Sequence, residues 1–124
     1  MMISHLSIGV SDLGQAVEFY DAVLAVLGYR RLYTGPRSIG YGTPDGREPF
    51  ALKQRSASDI GVDAGFHLAF VAPTPEAVRA FHAAALARGA QDDGAPGPRP
   101  RYGSSYYAAF VIDLDGHKLE VVYQ

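Results

Sequence analysis

From Ser4 to Val10 the chain alternates, with Leu6, Ile8 and Val10 on one side and His5, Ser7 and Gly9 on the other, which predicts a strand. Leu13, Ala16, Val17, Tyr20, Val23, Leu24 and Leu27 then recur at helical spacing. Ser11 or Asp12 is placed to cap the first amides and Gly28 to stop the helix. After a stretch containing Gly, Pro and Arg, "SIGYG" and "FALKQR" read as short strands joined by "TPDGRE", where Asp45-Gly46 supplies the turn. The first half reads β-α-β-β-β.

The second half repeats that order. "FHLAFVA" reads as a strand and "PTPEAVRAFHAAALARG" as a helix, with Thr74 as N-cap, Pro75 in the first helical position and Gly89 as the stop. An offset of 62 residues aligns His5 with His67, Ala16 with Val78, Phe19 with Phe81 and Leu24 with Leu86. The turn glycines Gly46 and Gly116 lie 70 apart, so the second copy has gained 8 residues, which we place in "DDGAPGPRPRYGS" as a surface loop. The expected domain is single, 1–124, with a first βαβββ unit at about 1–56 and a second at about 64–124. Neither unit is large enough to bury both faces of its own sheet. The expected class is α+β, the two tandem units forming an open, curved mixed sheet around a cavity.

The composition narrows the function. Lys and Arg number 11 against 13 Asp and Glu, with no basic run to follow a phosphate backbone, so no nucleic acid is expected. With no cysteine, thiolate nucleophiles, disulfides and Cys-bearing zinc sites are excluded, and any metal must be held by His, Asp or Glu. The N-terminus lacks a secretory pattern, and no run approaches the roughly 18 apolar residues of a membrane span, so a cytoplasmic location is expected and no membrane partner.

Three titratable residues interrupt apolar strands: His5, His67 and, in "HKLEVVYQ", Glu120. Burying such groups is costly unless they are paired, hydrogen-bonded or metal-bound. Two imidazoles and one carboxylate drawn from three strands make the ligand set that holds a divalent metal with positions left open. From the residues alone, a hydrogen-bonded core role for the histidines and an ion pair for Glu120 stay open. His82 reads as a packed or surface helix residue and His117, just after a turn, as solvent-exposed.

The pieces "SHLSIGVSDLGQAVEFYDAVLAVLGY", "GFHLAF" and "YYAAFVIDLDGHKLEVV" make the chain similar to the vicinal oxygen chelate superfamily, which includes glyoxalase I, extradiol dioxygenases and the bleomycin- and fosfomycin-resistance proteins. The resemblance runs over essentially the whole chain. Leu114 stands where the family usually has the proline of a D-P-D-G turn. The resemblance implies metal ligands on the first and last strands of each unit, and His5, His67 and Glu120 fall on three such positions. Counting from the turn glycines, the first-unit counterpart of Glu120 is Phe50, which cannot ligate, and Glu48 is the nearest carboxylate. Three protein ligands are expected, for one divalent ion of Fe, Mn, Zn or Ni.

The activity implied by the resemblance is that of a lyase, isomerase or dioxygenase for a small vicinally oxygenated substrate, the alternative being a metal-free sequestering protein of the bleomycin-resistance type. Tyr106 and Tyr107 are adjacent, so only one can face a cavity. Tyr107 is taken as the catalytic phenol, with Tyr106, Arg99 and Arg101 as substrate-binding candidates. A homodimer is expected, because family members commonly pair and sheet edges need cover.

Overall fold

A computed structural model of the chain describes residues 2–124. It divides into two units, Met1–Gly61 and Val62–Gln124. In the first, β1 (Leu6–Val10), α1 (Leu13–Ala25), β2 (Arg30–Thr34), β3 (Ser38–Gly42) and β4 (Phe50–Gln54) follow in order. They build a four-stranded sheet of order β1-β4-β3-β2, in which β1 and β4 are parallel and the other pairs antiparallel. In the second, β5 (Leu68–Val71), α2 (Pro75–Ala87), β6 (Gln91–Pro98), β7 (Tyr107–Ile112) and β8 (Lys118–Tyr123) give the equivalent order β5-β8-β7-β6, again with one parallel pair. The class is therefore α+β, built from two four-stranded mixed sheets that do not close, each with one helix.

The two helices form for the same local reasons. Asp12 and Thr74 accept from backbone amides three residues ahead, Gln15 at 3.0 Å and Ala77 at 3.0 Å, which satisfies donors the helix itself leaves unpaired. Beyond their ends Gly28 and Gly89 take φ of 88° and 97°, a region that a side chain disfavours. The buried positions of α1, Ala16, Phe19, Tyr20, Val23 and Leu24, cover one face of the first sheet, where the rings of Tyr20 and Phe50 lie 5.3 Å apart. In the second unit Val78, Phe81 and Ala85 do the same, with Phe81 5.9 Å from Phe70. Each sheet thus has a helix-covered face and an open face, and period-two alternation decides which residues each displays.

Two sequence expectations change. The segment read as a loop after Gly89 contains β6, paired with β7 with register shifts at 92–94 and 94–97. It is the edge of its sheet, where Pro96 and Pro98 cost no ladder bond that a central strand would need. His117, read as exposed, is buried at 6% exposure. Its Nδ1 lies 2.8 Å from Asp113 Oδ2, and Asp113 Oδ1 also accepts from the amides of Asp115 and His117 at 3.0 and 2.8 Å. The β7–β8 turn folds the imidazole onto the carboxylate four residues earlier, while the Phe66 ring meets it edge-on at 5.8 Å.

Candidate functional site

Glu120 is the third residue of β8, between Leu119 and Val121, which face α2. It pairs with Ala69 across the parallel ladder and with Phe110 across the antiparallel one, so its carboxylate stands on the open face of the second sheet. It is only 3% exposed. His67 immediately precedes β5 and turns its ring to the same face, with Nε2 2.7 Å from Glu120 Oε1 and the ring 6.1 Å from that of Phe110. The other oxygen, Oε2, accepts from the Tyr106 hydroxyl at 2.5 Å. Both oxygens of a buried carboxylate are therefore satisfied, as burial requires. Burial, and after it the hydrogen bond to Glu120, pushes the Tyr106 phenol up to about 12.

Adjacent positions diverge, as the pleat demands. Tyr107 turns to the helix side, where its hydroxyl accepts from Arg79 Nη1 at 3.1 Å. The structure thus places Tyr106, and not Tyr107, beside Glu120. The register decides this: the turn at 113–117 pairs Ile112 with Lys118, which sends the even-numbered residues of β7 to the face of Glu120.

Arg99 belongs to this open face but spends its donors on the backbone, giving Nη1 to Gly97 O at 2.9 Å and Nη2 to Ala95 O at 2.9 Å. Its guanidinium lies over the Phe110 ring at 5.4 Å. The bulged β6 makes room for it, since a Cβ on Gly97 would approach Nη1 to 3.3 Å. Arg101 is exposed and stacks on Tyr102 at 5.0 Å.

His5 lies in the first unit, just before β1, exposed, with Nδ1 3.0 Å from Ser4 Oγ. Among the described residues no group of three or more His, Asp or Glu side chains gathers into a metal cluster. Of the three expected ligands, His67 and Glu120 are brought together. The 2.7 Å between them is a hydrogen-bond distance, shorter than the about 3.0–3.4 Å that two donors on one metal ion take, and two donors alone do not complete a metal site.

In the first unit the strand ladder corrects the expected counterpart of Glu120. Leu6 pairs with Phe50 and Ser7 with Ala51, whereas Leu68 pairs with Leu119 and Ala69 with Glu120. The equivalent of Glu120 is therefore Ala51, because the first-unit turn is one residue longer than the second, and Phe50 faces α1 instead. Ala51 carries no ligand either. Glu48 reaches back from the turn across Gly40, the partner of Ala51. A Cβ on Gly40 would sit 1.9 Å from Glu48 Oε1, so this carboxylate lies on the open face of the first sheet. That glycine is what admits it.

Comparison with known proteins agrees with this architecture. The sequence profile described as Glyoxalase/Bleomycin resistance protein/Dioxygenase superfamily matches residues 2–121. A glyoxalase/bleomycin resistance protein from Albidiferax ferrireducens is 31% identical over 100% of both chains, with a TM-score of 0.87. A putative glyoxalase from Bacillus halodurans is 26% identical over 99% of this chain and 96% of its own, with a TM-score of 0.77. The fosfomycin resistance protein FosX from Mesorhizobium loti shares the fold at 20% identity, over 98% of this chain and 91% of its own, with a TM-score of 0.70. No curated protein matches the chain.

Proposed function

The chain belongs to the Glyoxalase/Bleomycin resistance protein/Dioxygenase superfamily, and from that premise we propose that it is a divalent-metal-dependent lyase, isomerase or dioxygenase acting on a small, vicinally oxygenated molecule. The observation that carries the reading is the convergence of His67 Nε2 and Glu120 Oε1 at 2.7 Å on an open sheet face. Glu120 is a buried carboxylate in a strand that would be more simply built with an apolar residue there. His5, exposed in the first unit, is proposed as a ligand solely on its sequence equivalence to His67. His67 and Glu120 would hold an Fe, Mn, Zn or Ni ion, which would supply Lewis-acid stabilisation of charge developing on substrate oxygens.

The chain's own residues set the conditions for that chemistry. Glu120 puts a buried carboxylate on that face, and His67, its side chain 48% exposed, borders it on the solvent side. The Phe110 ring beside His67 offers an apolar wall. Arg101, exposed and without a carboxylate partner among the described residues, is the cation we assign to an anionic group of the substrate, whereas Arg99 fixes the wall by holding β6 and Phe110 together. Tyr107 faces α2 and has no part in this reading. A homodimer is proposed as well, since each sheet leaves edge strands open. Among the described residues no helix is long and apolar enough to cross a membrane.

A second reading, metal-free sequestration of a small molecule, is favoured by one specific fact: Glu120 has a partner for each oxygen without any ion. Metal analysis of protein purified without chelator, beside His67→Ala and Glu120→Ala, separates the two. Stoichiometric metal in the parent and its loss in both variants is the result expected. Equal metal content in all three, or none in the parent, overturns the metal reading and leaves sequestration.

A further inference from the structure

One end of the first sheet carries polar side chains that take no part in the function proposed above. The parallel strands β1 and β4 finish there at Val10 and Gln54, and their pairing runs one step further: the Gln54 amide donates to Arg37 O at 2.8 Å and the Arg55 amide to Val10 O at 3.0 Å. Ser11, Arg37, Gln54, Arg55 and Ser56 line a cleft of about 400 Å3 at this end. Alternation sets Arg37 and Gln54 in the row after Ile39 and Leu52, where the apolar side of the sheet stops.

Two cations share this cleft, and no carboxylate lines it. Arg55 gives Nη1 to Gln54 O at 2.8 Å, and among the described residues neither guanidinium has an ion pair. Asp12, on the flanking turn, is engaged by the Gln15 amide at 3.0 Å. The Ser56 hydroxyl makes no bond to the short 3-10 turn Ala57–Asp59 that it precedes. The shared fold does not call for these charges, because in the second unit the ladders put Tyr107 in place of Arg37, Tyr123 in place of Gln54 and Gln124 in place of Arg55. The cation beside Tyr107, Arg79, comes from α2 and has a carboxylate of its own, Glu76 at 3.4 Å.

We propose that this cleft, built from first-unit residues alone, binds the phosphoryl group of a small phosphate monoester. Guanidinium groups sharing a cleft repel each other, and a dianion between them turns that repulsion into attraction. A guanidinium fork matches two phosphoryl oxygens, and the Ser56 hydroxyl and Gln54 side-chain amide are donors for the oxygens that remain.

The test titrates phenyl phosphate into isotope-labelled protein near neutral pH, where such an ester is largely dianionic, with ionic strength held constant by chloride and amide shifts followed by nuclear magnetic resonance. The parent is compared with Arg37→Gln, Arg55→Gln and, as a control, Arg47→Gln, whose guanidinium is exposed and paired with Asp45. The same spectra report whether each variant is folded. Expected are saturable shifts at the amides of Ser11, Gln54, Arg55 and Ser56, an affinity about tenfold or more lower in each cleft variant, and no change in the control. The proposal is overturned by a parent without saturable shifts, by shifts centred elsewhere, by a cleft variant that binds as the parent does, or by an equal loss in Arg47→Gln, which bulk charge would produce. None of these results bears on His67 and Glu120.

Discussion

Replacing Glu120 by leucine asks whether the fold needs that carboxylate or only the site does. In the folded protein Glu120 gains two hydrogen bonds, from His67 and Tyr106, each worth about 1.5–3 kcal/mol as bonds to a charged group. Against this stands the cost of taking a carboxylate to 3% exposure, an effective penalty of several kcal/mol. Leucine of similar length removes both terms and regains about 1.5–3 kcal/mol of apolar burial between Ala69 and Phe110, its ladder partners. Neither former donor is stranded, because the His67 side chain is 48% exposed and Tyr106 is only partly buried. Glu120→Leu is therefore expected to change stability by no more than about 1 kcal/mol. His67→Ala leaves the buried carboxylate with one donor, and water entering the vacated, half-exposed space offsets part of the loss, so a decrease of about 1–2 kcal/mol is expected. Urea unfolding at pH 7 with chelator present measures both. If Glu120→Leu lost more than about 3 kcal/mol and His67→Ala nothing, the carboxylate would be a structural member of the strand, and its burial would no longer argue for a ligand.

Two further outcomes test the frame around the site. Tyr41 is 1% exposed and donates to Asp21 Oδ1 at 2.8 Å; burial first, and the Asp21 hydrogen bond second, raise its pKa far above the usual phenol range. Above a pH of about 10 the unfolded chain releases this proton while the folded one keeps it, so stability present below that pH is lost as pH rises. Urea midpoints measured from pH 8 to 11 should fall, and fall less steeply in Tyr41→Phe; parallel curves for the two proteins would refute the assignment. His117→Ala removes a buried ring and a partner of the Asp113 carboxylate, and a loss of about 2–4 kcal/mol is expected in thermal unfolding. A loss under about 0.5 kcal/mol would mean that the imidazole is in water after all.

The sequence announces the repeat, and with it His67 and Glu120, because each is a titratable residue in an apolar strand and the internal offset relates one of them to His5. What it conceals lies at turns. Tyr106 and Tyr107 differ by one position and hence by a whole sheet face, and only the length of the 113–117 turn decides between them. The same single-residue slip exchanges Phe50 for Ala51 as the counterpart of Glu120. A count anchored on the turn glycines assumes equal turns, whereas the β3–β4 turn is one residue longer than the β7–β8 turn. β6 escapes notice for another reason: its Gly, Pro and Asp content denies it strand character, and pairing along a sheet edge overrides that local preference. His117 looks solvent-exposed by its place after a turn, and becomes buried through a contact with Asp113 that periodicity does not register.

Ala51 holds, in the first copy, the address that Glu120 holds in the second. Alanine and glutamate codons can differ by a single base, so the inventory of donors in this scaffold is one mutation deep at that address. Duplication has left two interchangeable seats on equivalent ladders, one taken by an acid and one by a methyl group, and a lineage can fill or vacate either without redesigning the strands that carry them. Diversification of chemistry within such a fold then needs no new architecture, only a change of occupant.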